Sequence, residues 1–99
     1  MDQDTQLGQA VELPHNPTTG RPYTGRNVLP LALAEVERGW SGGQWAGFHQ
    51  WRQLGRVVRK GERSPVRVLL VTERKDGTKG VRMVAVFHRA QTDEMTPQG

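Results

Sequence analysis

The stretch VRVLLVTERKDGTKGVRMVAVFHR, residues 66–89, decides the fold of this 99-residue chain. Two runs rich in β-branched residues flank Asp76-Gly77, a pair typical of the turn between antiparallel strands. With a two-residue turn, one face of the hairpin is almost wholly apolar and the other is mixed. A slip of one residue would exchange the faces, so we expect this pairing to be specific. The predicted core-facing pairs are Val66 with Phe87, Val68 with Ala85, Leu70 with Met83, and Thr72 with Val81.

A first helix is predicted over NVLPLALAEVERG, residues 27–39. Asn27 is a favourable N-cap, Pro30 falls in the first turn where its missing N–H costs nothing, and Gly39 suits the position just past the end. The apolar residues recur at the spacing of a core-facing stripe. They are Leu29, Ala32, Leu33, Val36 and Trp40.

A second, shorter helix is predicted within SGGQWAGFHQWRQLG, residues 41–55. Ser41 with Gln44 forms one possible capping box, and Gly47 with Gln50 forms a weaker one. Glycines 42 and 43 would weaken a helix, which favours a start near 47 and an end at Gly55. The residues expected to face the core are Phe48, Trp51 and Leu54.

The segment NPTTGRPYTGRN, residues 16–27, is rich in turn-forming pairs and contains two prolines that restrict the backbone. It predicts an extended, partly rigid arm. Residues 1–15 and 94–99 show no periodic pattern and are predicted to be tails. We therefore expect one α+β domain over residues 16–93, with two helices packed on a small antiparallel sheet built around the C-terminal hairpin, preceded by the extended arm.

Composition narrows the class of protein. The chain has no cysteine, which excludes disulfides and thiolate metal sites and fits a reducing cytoplasm. Its first residues are acidic and polar, unlike a secretory signal, and no apolar run approaches the roughly 20 residues of a membrane helix. We expect a soluble cytoplasmic protein without a membrane contact.

Catalytic and metal-binding motifs are missing from the sequence. The three histidines lie far apart on different predicted elements, and there is no HExxH pair. Neither serine has the G-x-S-x-G setting, and the glycine-rich stretches lack the GK[ST] ending of a phosphate loop. His88 is expected to be a packed or surface residue. The sequence therefore predicts a non-enzymatic protein without a metal or another cofactor.

Charge is unevenly distributed along the chain. The formal net charge is +4, yet residues 1–20 carry three acidic and no basic residues, whereas residues 51–89 carry eleven basic and three acidic ones. A local excess of positive charge is what attraction to a polyanion requires. The alternative is an ordinary solvated basic surface.

Basic residues interleaved with aromatic ones are typical of proteins that bind single-stranded nucleic acid. Trp40 and Trp51 fit the buried stripes of the helices. Tyr23 and Trp45 lie outside those stripes and are candidates for stacking on bases, although core packing is the alternative for any tryptophan. The basic candidates around the second helix and the following turn are Arg52, Arg56, Arg59, Lys60 and Arg63.

Four segments in order resemble the N-terminal domain of ArdC-type antirestriction proteins, which is also found fused to plasmid primases and other mobile-element proteins. The segments are NPTTGRPYTGRNVLPLAL from residue 16, W-x-x-F-x-Q from residue 45, LGRVVRKGE from residue 54 and VFHRAQTD from residue 86. The likeness runs from Asn16 to Asp93. It implies a small α+β module that binds single-stranded DNA. Longer members continue into a zinc metallopeptidase-like domain with HExxH, which is absent here, so no protease activity is implied.

The resemblance also implies which residues matter, with one departure. His88 stands where the family usually has asparagine, which puts a contact by that side chain in doubt. The matched residues are Asn16, Gly20, Tyr23, Gly25 and Asn27 in the arm, Gln50, Arg59, Lys60, Gly61 and Glu62 around the turn, and Gln91 near the end.

These observations lead to one hypothesis about the site. Arg21, Tyr23 and Arg26 would line one wall of a nucleic-acid groove, with Arg59, Lys60 and Arg63 on the other wall. Asn27 would cap the first helix, and the predicted DNA-binding residues also include Trp45, Gln50, Arg52 and Arg56. The expected partner is single-stranded DNA. The alternatives are a module that inhibits a host restriction or defence enzyme, and the targeting domain of a larger enzyme whose catalytic domain is separate.

Overall fold

The computed structural model describes residues 12–96 and confirms the α+β class. Its strands are β1 (His15–Asn16), β2 (Arg21–Pro22), β3 (Trp45–Ala46), β4 (Arg56–Val58), β5 (Val66–Glu73), β6 (Lys79–His88) and β7 (Thr92–Glu94). Its helices are α1 (Val28–Arg38) and α2 (Phe48–Gln53), with 3-10 turns at Gly25–Asn27 and Arg89–Gln91. No helix in the described part of the chain is long and apolar enough to cross a membrane.

The central sheet has three antiparallel strands in the order β3-β6-β5. The short strand β3 contributes side chains to both faces of this sheet, because successive side chains of a strand point in opposite directions. Trp45 joins Leu31 and Ala34 of α1 in one buried cluster, whereas Ala46 joins Trp51 of α2 in another. The two helices therefore lie on opposite faces of the sheet.

The predicted hairpin is present, but its predicted register is wrong by one residue. Arg67 pairs with Ala85 and Val71 with Val81. The turn is longer than expected because the N–H of Gly77 bonds to the carbonyl of Arg74 at 3.0 Å, and the Arg74 N–H bonds to the Thr78 carbonyl at 2.7 Å. The loop thus holds three residues, and its last one, Gly77, has the positive φ of 88° that glycine tolerates best.

The register shift exchanges the faces of β6. The inward direction of Val66 and Val68 on β5 was predicted correctly, with Val68 buried and Val66 half-buried against α1. On β6, however, Val84 and Val86 face that core, and not Val81, Met83, Ala85 and Phe87. Val81 and Met83 are instead exposed, and Phe87 packs on the α2 side.

Helix α1 lies where it was predicted and ends at Gly39, whose φ is 70°. Of its predicted core stripe Trp40 packs against the core, but the buried residues of the helix itself are Leu31 and Ala34. Since α2 packs on the other face of the sheet, only a narrow strip of α1 is covered. The exposed stripe consists of Leu29, Leu33 and Val36.

Helix α2 starts next to Gly47, as the second of the two predicted capping boxes required. The side-chain oxygen of Gln50 accepts the Gly47 N–H at 2.9 Å. Trp51 is buried as expected. Phe48 and Leu54 are partly exposed, because a six-residue helix covers little beyond its central turn.

The arm folds back on itself, although it was predicted to be extended. β1 and β2 pair as a small antiparallel hairpin. Asn16 shapes its turn, since the side-chain oxygen accepts the Thr18 N–H at 2.8 Å and the backbone carbonyl accepts the Gly20 N–H at 2.7 Å. Pro14 is buried, so the folded part begins before the predicted boundary at residue 16. The rest of the predicted tail, residues 1–11, lies outside the described residues, as do residues 97–99.

Candidate functional site

An open groove of about 870 Å³ runs between the arm and the central sheet. The arm contributes residues between positions 16 and 27, α2 contributes its first turn, and β5 and β6 contribute residues 68–71 and 84–86. Four of the predicted site residues meet in the groove: Arg21, Tyr23, Arg26 and Gln50. Asn27, which was predicted as well, also lines it. The groove is thus assembled from segments that lie far apart in the sequence.

Side-chain amides hold both ends of the arm in place. At the first end, Asn16 Nδ2 donates to Gln50 Oε1 at 3.0 Å. At the other end, Asn27 Nδ2 donates to the carbonyl of Leu69 at 2.9 Å, and Asn27 Oδ1 accepts the Leu69 N–H at 2.8 Å. Asn27 therefore pairs with the free edge of β5 as a strand would. The predicted side-chain cap is wrong, because this side chain makes no cap hydrogen bond to α1.

Tyr23 anchors the middle of the arm. Its hydroxyl donates to the carbonyl of Trp45 at 2.8 Å, and its ring packs against the core cluster of Trp45 and Leu31. Burial disfavours the phenolate and raises the pKa of Tyr23 to about 12, although a hydrogen bond with Asn16 works weakly in the opposite direction. One part of the ring still lines the groove.

The titration of Tyr23 is directly measurable because it is the chain's single tyrosine. We expect the tyrosinate absorbance of the folded domain to rise with a midpoint near 12, against about 10 for the unfolded chain. Between these values the unfolded chain has lost a proton that the folded domain keeps, so stability falls as the pH rises. The control is the same titration in urea. A midpoint near 10 in the folded domain would contradict the burial of this hydroxyl.

The charged residues of the groove are cations. Arg21 and Arg26 are exposed, and within the described residues neither guanidinium forms a hydrogen bond or an ion pair. His49 lies beside them, and no aspartate or glutamate is among the described lining residues. Without a nearby carboxylate, both arginines retain their full attraction for an anion.

Phe48 is the aromatic residue that the sequence interpretation missed. Its ring lines the groove, is 41% exposed and meets Phe87 edge-on at 6.2 Å between centroids. The sequence feature that could have indicated it is the place of Phe48 at the first position of a short helix, where no preceding turn covers the side chain. The candidate Trp45 is wrong as a stacking residue, because its side chain is fully buried.

The predicted second wall, residues 59–63, does not line this groove. Arg59 instead forms ion pairs of 3.2 Å with Glu62 and Asp93, and donates to the Ala90 carbonyl at 2.8 Å. Its pKa is raised, first by the hydrogen bond with Asp93. The prediction of this wall is therefore wrong for this groove. The other basic candidates that lie outside it are Arg52, Arg56, Lys60 and Arg63.

The side chain of Gln91 connects the turn at residues 59–63 to the end of β6 through hydrogen bonds. Its side chain is buried, accepts the His88 N–H at 2.9 Å, and donates to Glu62 at 3.0 Å and to the Arg63 carbonyl at 2.8 Å. We call Arg59, Glu62 and Gln91 the C-terminal latch. These contacts give the three residues a role in folding.

His88 is buried, so the packed one of its two predicted placements is correct. Its Nδ1 accepts the Ala90 N–H at 2.9 Å, so Nε2 carries the proton that is shared with Glu35 at 2.6 Å. Burial lowers the pKa of His88, while Glu35 opposes that shift. An asparagine oxygen commonly accepts the N–H two residues on, and Nδ1 takes that role here. No cluster of three possible metal ligands occurs in residues 12–96.

The fold and the site define a class: a small α+β domain with a cationic groove held open by an anchored arm. A family model, the N-terminal domain of anti-restriction factor ArdC, matches residues 2–98. The chain belongs to this family.

Relatives and solved structures agree with this assignment. The chain is 31% identical over 105 residues to the uncharacterized protein y4eC of Sinorhizobium fredii (strain NBRC 101917 / NGR234), which covers 91% of the chain and 34% of that protein. It is 38% identical over 65 residues to the DNA primase TraC of Escherichia coli, covering 65% of the chain and 4% of the primase.

Two crystal structures of the antirestriction protein ArdC from plasmid R388 share the fold. The Mn(II)-bound structure matches with a TM-score of 0.72 and 29% identity, over 94% of this chain and 38% of that one. The metal-free structure matches with a TM-score of 0.66 and 27% identity, over 86% and 34%. The chain thus spans little more than a third of y4eC or of ArdC.

Proposed function

We propose that the groove binds single-stranded DNA and that the domain is the DNA-binding module of a mobile-element antirestriction protein. The observation that carries this proposal is the pairing of two unpartnered arginines with an exposed aromatic ring in a groove without described carboxylates.

Arg21 and Arg26 supply the contacts to phosphate. A guanidinium can donate two parallel hydrogen bonds to one phosphate group, and here no internal bond has to be broken first. Both residues flank the anchored Tyr23, so the arm presents them from a fixed backbone. A single strand lying along the arm would have its phosphates on this side.

Phe48 supplies the contact to bases. An exposed aromatic ring can stack a base for about 1–3 kcal/mol, whatever the base is. The apolar side chains of Leu69 and Val71 line the same groove and suit the flat faces of bases. These faces are accessible in a single strand and hidden in a duplex, which is why we propose the single strand as the ligand.

One observation favours a second candidate function. One face of the distal hairpin exposes Val71 and Val81, each 62% accessible, together with Met83. An exposed apolar patch on a small domain is typical of a protein contact. The domain would then act on a host restriction or defence enzyme, or target a separate catalytic domain, through this surface.

The DNA proposal is tested by comparing two double variants that each remove two positive charges. We expect Arg21→Ala/Arg26→Ala to flatten the salt dependence of single-strand binding by about 1.4, because each phosphate contact contributes roughly 0.7 to the slope. Lys60→Ala/Arg63→Ala, outside the groove, should leave the slope unchanged. The measurement is the anisotropy of a labelled oligonucleotide between about 50 and 200 mM salt.

Titrations with single-stranded and with duplex DNA also separate the candidate functions. A Phe48→Trp variant adds a fluorophore inside the groove, and its emission should be quenched by single strands more than by duplex. If only the Lys60 and Arg63 variant changed the slope, the DNA would lie on the turn and the groove would be excluded. If neither oligonucleotide bound the wild-type domain at low salt, the protein-contact reading would replace the DNA proposal.

A further inference from the structure

Two smaller depressions outside the groove share the same pair of arginines. One has a volume of about 280 Å³ and the other about 400 Å³, and both are lined by Arg56 and Arg89. Arg56 belongs to β4, and Arg89 opens the 3-10 turn after β6. The tertiary structure thus places two cations from distant segments in the lining of both depressions. We call the two depressions together the hollow.

The charges of this pair are not neutralised by an ion pair in the described part of the chain. Arg56 donates twice to Thr92, at 2.7 and 3.1 Å, which holds its guanidinium in one orientation. The guanidinium of Arg89 makes one long hydrogen bond, 3.4 Å, to the side chain of Gln44. Glu94 lines the smaller depression and pairs with Arg56 along the strands, yet it lies beyond ion-pair distance. Arg59 differs from this pair, because the carboxylates of Glu62 and Asp93 offset its charge.

An aromatic ring and a third cation adjoin the same hollow. Trp40 lines the larger depression and is half-buried, because it stacks on His88 at 5.0 Å between ring centroids. The guanidinium carbon of Arg38 lies 5.6 Å from the centre of the Trp40 ring. The hollow therefore combines positive charge with an aromatic surface, as the groove does.

The hollow begins where the groove ends. Asn16 lines the groove, and the next residue, Pro17, lines the smaller depression. Gln44 lines that depression too, and its backbone bridges to His15 at the base of the arm. A strand that leaves the groove at the turn of the arm would thus meet Arg56 and Arg89 next.

We propose that Arg56 and Arg89 form a second phosphate-binding subsite, which takes the backbone phosphates of a single strand after it has passed the arm at Pro17. This inference rests on the proposed DNA-binding function of the groove. It extends the bound length of the strand and assigns a role to Arg89, which was not among the predicted DNA-binding residues.

The test compares a short oligothymidylate of about 6 nucleotides with a long one of about 16, within the range that small single-strand-binding folds occupy. We expect Arg89→Ala to lower the salt slope of the long strand by about 0.7 and to leave the short strand unaffected. Lys75→Ala, at the exposed tip of the hairpin, is the charge-matched control. Arg89 is preferred to Arg56 for substitution, since Arg56 also supports Thr92.

Each outcome decides between the two proposals. An unchanged slope of the long strand in Arg89→Ala overturns the subsite and leaves the groove in place. A long strand whose slope depends on Arg89 but is unchanged in Arg21→Ala/Arg26→Ala overturns the groove and, with it, the path past Pro17 on which this inference rests. Absence of binding by either strand overturns both.

Discussion

Replacing Trp45 by alanine is expected to destabilise the domain by about 3–5 kcal/mol, the range for deleting a buried aromatic side chain. Trp45 is fully buried and meets Leu31, Val68 and Val86 in the cluster beneath α1. Its ring lies edge-on to His88 at 4.9 Å between centroids. A small domain has only about 5–15 kcal/mol of net stability, so this loss removes a large share of it.

The unfolding free energy from urea titration, followed by far-ultraviolet circular dichroism, measures this effect. Trp45→Phe is the control, because Trp45 Nε1 has no hydrogen-bond partner among the described residues and phenylalanine therefore leaves no partner orphaned. The phenylalanine variant should stay folded and bind DNA as the wild type does. Loss of DNA affinity in a stable Trp45→Phe protein would show that the ring contacts the ligand after all.

Gln91→Ala is expected to cost about 2–4 kcal/mol, because it leaves one buried and two part-buried groups without partners, at about 1–3 kcal/mol for a buried one. The groups concerned are the His88 N–H and the Arg63 carbonyl, and Glu62 also loses its donor. The variant removes the hydrogen bonds by which the Gln91 side chain holds the C-terminal latch together. The change in the urea midpoint is again the measurement.

An exchange variant sharpens this second prediction. Gln91→Glu keeps an acceptor for His88 but sets two carboxylates against each other, and adding Glu62→Gln restores a donor and an acceptor. The double variant should therefore be more stable than Gln91→Glu alone. If Gln91→Ala lowered DNA affinity while the unfolding free energy stayed unchanged, Gln91 would be a ligand contact and the latch would be wrong.

The local features of the fold were readable in the sequence because neighbouring residues encode them. Asp76-Gly77 predicts the hairpin, and Gly47 with Gln50 predicts the start of α2. The register of the hairpin was not readable, since Gly77 serves a three-residue loop as well as a two-residue turn. One residue of difference exposed Met83 and turned Val84 inward.

The site was half readable for a similar reason. The predicted site residues of the arm and Gln50 line the groove, and turn chemistry and the family resemblance both mark the arm. The turn at Arg59 was assigned to it on charge and on the family resemblance. Its charge is offset by Asp93, which lies 34 residues further along the chain, and no local pattern indicates such a pair.

The amino-acid sequence by itself determined the hairpin, the extents of both helices, the excess of positive charge and the family. Each of these depends on the chain's local preferences or on its composition. Only the tertiary structure decided which aromatic ring is buried, which arginines keep their charge free and which segments meet in the groove. Those outcomes depend on contacts between residues distant in sequence, where a side chain such as Asn27 can serve a strand in place of the helix it precedes.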